Sequence, residues 1–316
     1  MGYRILAIET SCDETAVACL NGDKVVQSKV FSQIDLHEAF GGVLPEAAAR
    51  RHLEVLPVLL KDVAKPDLIA VTAGPGLLPA LLTGVSVALG LSRGWQVPVM
   101  GINHVVAHVA AAALERRIEL PVLGLVVSGG HTSFYLIEKW SDPKVLGWTY
   151  DDAAGECLDK VGRALGMKYP AGAEIDNLAL TIKERVTMPL PLKNEDSFNF
   201  SFSGLKTAAL KYKGKISNEV LAASLMEAVV NHLLDRIEKV LKKYPYPLVV
   251  GGGVSASKFL RQKMQEHFGE RVIFPSAQLS TDNADMVAVY AALLLQEGIV
   301  PGSCVTPDPN MEQGWC

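Results

Sequence analysis

The chain has 316 residues, of which 49% are hydrophobic and 20% charged, enough to build two lobes around substantial cores. A formal net charge of −4 and an isoelectric point near 6.0 exclude a protein that binds nucleic acid through a strongly basic overall field. A polyanionic partner would need local basic patches, such as residues 50–52, 116–117 and 206–215, although ordinary solvated surface is the simpler interpretation of each. Five cysteines without a Cys-x-x-Cys pair favour reduced thiols over a disulfide framework.

One supersecondary pattern occurs twice along the chain. Residues 3–20 and residues 121–138 each read as an apolar strand, a short polar turn and a second apolar strand. The first turn carries Asp13 and Glu14, whereas the second contains two glycines. The repeat predicts an α/β protein with two similar lobes, one formed by residues 1–117 with a returning segment 286–316 and the other by residues 118–285.

The longest stretch without a charged residue, 68–92, is long enough to raise the question of a membrane span. It contains four glycines and two prolines, which favour a buried strand, a turn and a helix instead. The start of the chain leads directly into a strand and lacks the layout of a signal peptide. A cytoplasmic location without membrane contact is therefore expected.

Two histidines, His104 and His108, lie four residues apart in an alanine- and valine-rich segment. Asn103 can cap a helix that continues to about Leu114, so both imidazoles would project from one face about one turn apart. That spacing suits one metal ion, but two packed core histidines are the simpler interpretation of the pair alone. A third ligand is needed, and residues 280–285 supply an isolated acidic cluster.

Three glycine-rich segments follow predicted strands, where exposed backbone N–H groups can bind phosphate oxygens. They are residues 73–76, 128–132 and 251–257. The first is equally well explained as a tight bend. The chain lacks the Gly-Lys-Ser/Thr of a P-loop and the Gly-x-Gly-x-x-Gly of a Rossmann fold after its first strand.

Two hairpin loops and a third glycine-rich segment resemble the actin, Hsp70 and sugar-kinase (ASKHA) superfamily, with two RNase H-like lobes and an active-site cleft between them. Six motifs together resemble the bacterial tRNA threonylcarbamoyladenosine transferase family of the TsaD type. They are ETSCDET (9–15), PEAAAR (45–50), HVVAH (104–108), SGGHT (128–132), FSFSGLK (200–206) and TDN (281–283). The resemblance covers nearly the whole chain.

The resemblance implies an enzyme that moves the threonylcarbamoyl group from threonylcarbamoyl-AMP to the exocyclic amine of the adenosine 3′ of the anticodon, in tRNAs reading ANN codons, and releases AMP. It also implies one divalent metal ion per subunit, iron or zinc, bound by His104, His108 and Asp282. Two imidazoles and a carboxylate suit either metal. By composition alone Asp285 is an alternative third ligand.

The residues that the resemblance assigns to adenylate binding all lie in the second half of the chain. They are Val127, Ser128, Gly129, Gly130, His131, Asp159, Gly172, Asp176 and Ser257. The two aspartates would accept hydrogen bonds from the ribose hydroxyls. Ser257 stands where the family usually has asparagine, which puts direct adenine contact in question because a hydroxyl reaches less far than an amide.

Positioning and electrostatic stabilisation can supply most of the catalysis of this transfer. They do not identify the group that accepts the proton of the attacking amine. Asp13 and Glu14 are candidates for the base or for positioning, against the alternative that they only organise their turn. Lys206 is a candidate contact for either the tRNA backbone or the adenylate.

Three other functions share part of this sequence pattern. A metallopeptidase would need Glu after the first histidine, where this chain has Val105. A kinase or ATP hydrolase of the same fold, or a non-catalytic nucleotide-gated protein, would share the phosphate loops. Because the chain is acidic, we expect weak tRNA binding alone and assembly with partners. The resemblance implies a paralogous non-catalytic subunit (TsaB type) and a small P-loop ATPase (TsaE type).

Overall fold

The computed structural model describes residues 2–38, 40–312 and 314–316. The chain divides into two compact units. The first comprises Met1–Leu120, Ile137–Pro143 and Thr281–Cys316, and the second comprises Pro121–Leu136 and Lys144–Ser280. The expected lobes, residues 1–117 with 286–316 and residues 118–285, stay a prediction.

The first unit is built on a five-stranded mixed sheet. Its strands are β1 (Arg4–Glu9), β2 (Glu14–Asn21), β3 (Lys24–Ser32), β4 (Leu68–Gly74) and β5 (Val99–Asn103). Their spatial order is β3-β2-β1-β4-β5, with antiparallel pairing in the β1-β2-β3 meander and parallel pairing of β1 with β4 and of β4 with β5. The central strand β4 is buried along its whole length, as expected for a strand covered on both faces, whereas β3 alternates between exposed and half-buried residues at the sheet edge.

The second unit repeats this architecture. Its strands are β6 (Val122–Val127), β7 (Thr132–Ile137), β8 (Pro143–Trp148), β9 (Leu248–Gly251) and β10 (Val272–Ile273). They lie in the order β10-β9-β6-β7-β8, which matches the first sheet strand for strand. The predicted α/β class and the predicted duplication are therefore confirmed. The structure adds a third strand to each predicted hairpin, β3 in the first sheet and β8 in the second.

Helices cover the two sheets. In chain order they are α1 (Ile34–Glu38), α2 (Pro45–Leu59), α3 (Leu78–Trp95), α4 (His104–Ala110), α5 (Ala154–Ala164), α6 (Gly172–Thr181), α7 (Ser203–Leu210), α8 (Asn218–Lys243), α9 (Lys258–Phe268), α10 (Ala277–Ser280) and α11 (Ala284–Gln296). Short 3₁₀ turns occupy Ala111–Leu114, Gly253–Ala256 and Gly269–Arg271. The uncharged stretch 68–92 is the predicted strand, turn and helix.

Each unit has its own core. In the first, apolar residues of β1, β4 and α3 pack together, and α11 returns from the end of the chain to pack on β1, β2 and α4. In the second, the long helix α8 lies against α6 and contributes buried residues along most of its length. None of the helices in the described residues is both long enough and apolar enough to cross a membrane.

Candidate functional site

Helix α4 presents the histidine pair as the sequence predicts. Strand β5 ends at Asn103, whose Oδ1 accepts a hydrogen bond from the N–H of Val106 at 3.0 Å and so caps the helix. The Asn103 Nδ2 also donates to the Met311 carbonyl at 3.0 Å, which ties this cap to the C-terminal segment. The rings of His104 and His108 lie edge to face with their centroids 4.8 Å apart.

Asp282 completes the group from the other end of the chain. It lies just before α11, where Asn283 caps the helix by accepting from the N–H of Met286 at 2.8 Å. Its Oδ1 lies 3.1 Å from His108 Nε2 and 3.6 Å from His104 Nε2, and the three candidate ligand atoms lie within 4.8 Å of one another. The structure therefore brings together the three residues that the resemblance selected.

The group fits a divalent cation. His108 is fully buried; its Nε2 faces Asp282 Oδ1, and its Nδ1 has no hydrogen-bond partner among the described residues. Burial lowers the pKa of His108 despite the Asp282 carboxylate, so this imidazole is neutral, as a ligand must be. Two imidazole nitrogens and a carboxylate oxygen are a donor set suited to iron or zinc.

Asp285, the alternative third ligand, is not part of this group. It lies in the first turn of α11, where its carboxylate interacts with Ser28 of β3, and burial raises its pKa. Asp282 faces the histidines instead. It lies just before the start of α11, whereas Asp285 lies in the first turn of that helix.

A buried carboxylate that the sequence analysis missed supports His104 from behind. Glu9 is fully buried at the end of β1, and its Oε2 lies 3.2 Å from His104 Nδ1. The same oxygen accepts from the Thr72 hydroxyl, while Oε1 accepts from the N–H of Ser11 at 2.5 Å. Ser11 Oγ lies 3.1 Å from the same ring nitrogen. The sequence feature that could have identified Glu9 was its place as an acidic residue at the end of an otherwise apolar strand.

The electrostatics of this pair follow from burial and proximity. Burial alone would lower the pKa of His104, but the carboxylates of Asp282 and Glu9 raise it to about 9, so a metal ion would displace a proton from this imidazole on binding. Burial alone would raise the pKa of Glu9, yet the facing imidazole and its hydrogen bonds hold that pKa below its usual value. A carboxylate on the back of an imidazole fixes the ring orientation and leaves Nε2 to face a metal.

The acidic turn between β1 and β2 is held by His52. This histidine of α2 is fully buried, so its assignment to a surface basic patch with Arg50 and Arg51 is wrong. Its Nε2 lies 3.0 Å from the Cys12 carbonyl and its Nδ1 lies 2.8 Å from Thr15 Oγ1. Burial lowers its pKa, so the ring is neutral and donates from Nε2. The helix therefore fixes the backbone on both sides of Asp13 and Glu14.

The Glu14 carboxyl of that turn differs in chemistry from an ordinary surface carboxyl. Burial, followed by the charges of Asp13 and Asp282, raises the pKa of Glu14 to about 10. The Ser32 hydroxyl donates to Glu14 Oε1 at 3.0 Å. A carboxyl with this pKa keeps its proton at neutral pH and is suited to donate a hydrogen bond rather than to accept a proton.

In the second unit, residues 128–132 form a compact loop with exposed glycines. The N–H of Ser128 donates to the His131 carbonyl at 2.8 Å, and the N–H of His131 donates to Ser128 Oγ at 3.0 Å. Gly129 and Gly130 are exposed, and a Cβ atom built on either would meet no other described atom within 4 Å. Their backbone is therefore accessible to a ligand, and the predicted phosphate loop stays a prediction.

Two other backbone segments approach this loop closely. A Cβ on Gly252 would lie 2.5 Å from the Val127 carbonyl oxygen, and Gly252 has a φ of +89°, so both space and conformation require glycine there. A Cβ on Gly155 would lie 2.7 Å from the Ser128 carbonyl oxygen, to which the Gly155 N–H donates at 3.1 Å. Within the second unit, the glycine-rich segments 128–132 and 251–257 thus adjoin each other.

The remaining predicted adenylate residues already have structural partners. Asp159 accepts from the N–H of Ala171 at 2.8 Å, directly before Gly172 opens α6. Asp176 accepts from the Ser257 hydroxyl and from the N–H groups of Lys258 and Phe259 at 3.0 Å. Ser257 also caps α9 by accepting from the N–H of Leu260 at 3.0 Å. These contacts position both aspartates, and their ribose role stays a prediction.

The Lys206 side chain forms an ion pair within the second unit. Its ammonium donates to Asp152, which is also bonded by Lys160 at 2.6 Å. Asp151 beside it accepts from the Ser201 hydroxyl at 2.6 Å and the Ser203 hydroxyl at 2.7 Å, at the start of α7. The contact of Lys206 with either the tRNA or the adenylate stays a prediction.

Comparison of the chain with known proteins identifies its family. The family model described as TsaD, tRNA N6-adenosine threonylcarbamoyltransferase, matches residues 24–289. A protein named tRNA N6-adenosine threonylcarbamoyltransferase from Thermosipho africanus is 44% identical, with 98% of this chain and 99% of that protein covered. One of the same name from Carboxydothermus hydrogenoformans is 46% identical over 91% of each chain.

The chain belongs to this family. As a TsaD-type protein it is a tRNA N6-adenosine threonylcarbamoyltransferase, and the metallopeptidase and kinase alternatives are set aside. Solved structures support the fold alone. HypF of T. kodakarensis has a TM-score of 0.65 at 14% identity, over 96% of this chain and 49% of that one. Component A of the Acidaminococcus fermentans (R)-2-hydroxyglutaryl-CoA dehydratase has a TM-score of 0.58 at 15% identity, over 93% and 97%. The expected ASKHA fold is confirmed.

Proposed function

We propose that this enzyme takes the threonylcarbamoyl group from threonylcarbamoyl-AMP and transfers it to the N6 amine of the adenosine 3′ of the anticodon in tRNAs reading ANN codons. The N6 nitrogen forms a bond to the carbamoyl carbon, the bond from that carbon to the phosphate oxygen breaks, AMP leaves, and the amine loses a proton. The observation that carries the proposal is the buried group of His104, His108 and Asp282 in a chain of this family.

In this proposal the three residues hold one divalent ion, iron or zinc. When bound, it would supply Lewis-acid charge next to an oxygen of the activated substrate. Glu9 keeps the His104 ring in the orientation that leaves Nε2 available, and Ser11 and Thr72 keep Glu9 in place.

The residues of the second unit would bind the adenylate. The exposed backbone N–H groups of Gly129 and Gly130 offer donors for the phosphate, while Val127, Ser128 and His131 would line the same loop and hold its shape. Asp159 and Asp176 would accept from the ribose hydroxyls, with Gly172 alongside. Because the Ser257 hydroxyl donates its proton to Asp176, it can offer adenine only an acceptor lone pair.

For the proton of the attacking amine we propose Asp13 as acceptor, with Glu14 as a positioning donor. The raised pKa of Glu14 supports this division, since a protonated carboxyl cannot accept the proton. The hydrogen bonds from His52 and Thr15 on both sides of the turn would keep the two carboxyls in place.

The partners in this proposal are tRNA, a paralogous non-catalytic subunit and a small P-loop ATPase, in the cytoplasm and without membrane contact. Helix α2 offers Leu53, which is more than half exposed, as a contact for the paralogous subunit. Replacing Leu53 with Glu should abolish co-elution with that subunit and leave the fold unchanged.

The proposal is tested by mixing the purified chain, its partner subunits, threonylcarbamoyl-AMP and unmodified tRNA and then measuring the modified nucleoside. Product should form with the metal-loaded chain, disappear after chelation and return with added iron or zinc, which identifies the metal. Full turnover by the chelated protein would contradict the proposed metal role.

A further inference from the structure

Two large aromatic side chains project into solvent from the edge of the second sheet. Trp148 ends β8 and Tyr150 follows two residues later, so both point to the same side of the chain. They are 53% and 56% exposed, and their rings lie edge to face with centroids 6.5 Å apart. By contrast, Trp140 in the preceding loop is buried. Two adjacent exposed aromatic rings leave apolar surface in contact with water, and such a patch is typical of a binding site.

This pair is held in a defined position. The Asn199 side chain accepts from the N–H of Trp148 at 3.0 Å and donates to the hydroxyl oxygen of Tyr150. Phe200 bonds the same segment on both sides, donating to the Trp148 carbonyl and accepting from the N–H of Tyr150, each at 2.9 Å. An ordered backbone under exposed rings reduces the entropy lost when a ligand stacks on them.

The aromatic pair is connected directly to the glycine loop of residues 128–132. The N–H of Thr149, between the two rings, donates to the Thr132 carbonyl at 2.9 Å. A few residues later the N–H of Ala154 donates to Thr132 Oγ1 at 3.0 Å, and that of Gly155 donates to the Ser128 carbonyl. The segment that carries the rings therefore borders the loop to which the proposed function assigns the phosphate of the donor.

The surroundings of the rings are polar, and the charges nearest to them along the chain are paired. The Lys243 ammonium lies 5.6 Å from the ring centre of Phe198, the residue before Asn199. Directly after Tyr150 in the chain, Asp151 accepts four hydrogen bonds from residues 201–203, and Asp152 is bonded by Lys160 and Lys206. Flat aromatic faces beside amide groups are typical of sites that stack unpaired bases.

We propose that Trp148 and Tyr150 form a stacking platform for an unpaired nucleobase of the tRNA substrate. The proposal rests on the proposed function, in which the tRNA must present an adenosine from a loop. Unpaired loop bases expose their π faces, and each stacked base contributes about 1–3 kcal/mol. The platform would thus supply affinity for tRNA that the acidic chain as a whole does not provide.

The test uses the full chain with its partner subunits and separates tRNA binding from adenylate binding. In the Trp148→Ala/Tyr150→Ala variant, the KM for tRNA should rise about 5- to 100-fold. The KM for threonylcarbamoyl-AMP and the metal content should be unchanged. Trp148→Phe keeps a ring and should retain most of the affinity, while Trp148→Leu keeps apolar area without a π face and should lose it. The matched control is Tyr3→Ala, which removes an equally exposed ring in the first unit.

A second measurement does not depend on turnover. Adding tRNA should protect tryptophan fluorescence from acrylamide quenching in the wild type and not in Trp148→Phe. An unchanged KM for tRNA in the double alanine variant would overturn the platform, as would full affinity in Trp148→Leu or the same loss in Tyr3→Ala. Failure of the proposed function is distinguishable, because the wild-type assembly would then make no modified nucleoside.

Discussion

The turn between β1 and β2 and the turn between β6 and β7 occupy equivalent places in two sheets of identical strand order, yet they share almost no chemistry. The first is enclosed and acidic, with Glu9 buried before it and Glu14 protonated within it. The second exposes Gly129 and Gly130 and has its charged neighbours already neutralised by ion pairs.

The contrast shows that the duplicated fold determined where each turn lies and that the side chains determined what each turn can do. Buried charges are stable only when their partners surround them, so the Glu9 carboxylate before the first turn requires His104, Ser11 and Thr72. A loop that binds a phosphate with backbone N–H groups requires open space instead. The following predictions test whether the two turns have these separate roles.

The largest effect is expected at the metal group. His104→Ala removes one of three ligands, so metal content should fall below detection and the transfer rate by at least about 1,000-fold. Elemental analysis and a single-turnover assay measure the two quantities. His267→Ala, which alters an exposed histidine of α9, is the control and should keep both. Retention of metal by the His104 variant would contradict the assigned ligand set.

Glu9→Gln tests the carboxylate behind His104. The amide keeps the shape but loses the charge that orients the imidazole, so metal affinity should fall about 10- to 100-fold. Competition with a chelator measures this affinity without any substrate. Thr72→Val removes only the hydroxyl that bonds Glu9 and should give a smaller decrease. Equal metal affinity in Glu9→Gln and wild type would show that Glu9 is purely structural.

Gly130→Ala tests the glycine loop. Because a Cβ there meets no described atom within 4 Å, the melting temperature should not fall. A methyl group would nevertheless keep a phosphate away from the backbone, so the KM for threonylcarbamoyl-AMP should rise about 10-fold, the value of one charge-assisted hydrogen bond. Gly94→Ala in α3 also has open space and is the matched control, with unchanged kinetics. An unaltered KM in Gly130→Ala would remove the loop from the donor site.

The smallest effect concerns a buried histidine outside the first unit. Burial, assisted by Arg236, lowers the pKa of His232 to about 4, and its Nε2 accepts from the N–H of Ser201. The unfolded chain therefore binds more protons below about pH 6.5, and this residue's contribution to stability is lost as pH falls from there towards 4. Between about pH 7 and pH 6 the loss should be about 0.7 kcal/mol.

Urea unfolding of wild type and His232→Gln at both pH values checks this number, because glutamine can accept the same hydrogen bond without titrating. An equal pH dependence in the two proteins would mean that the folded protein does not hold His232 neutral.

Local patterns in the sequence were sufficient for the elements and for part of the site. The strands around each turn, the Asn103 cap and the helix Ala284–Gln296 all follow from alternation, capping and apolar content over a few residues. The motifs that resemble the family then selected His104, His108 and Asp282 as one group.

The tertiary structure alone decided which buried polar groups meet. Glu9 reaches His104 across 95 positions, His52 reaches the Cys12 carbonyl across 40, and Asp176 reaches Ser257 across 81. It also removed His52 from the surface and Asp285 from the metal group. Periodicity and capping depend on neighbours within one or two turns of chain, so a single sequence contains them. The partner of a buried charge depends on how distant strands and helices pack, and no short window of sequence carries that information.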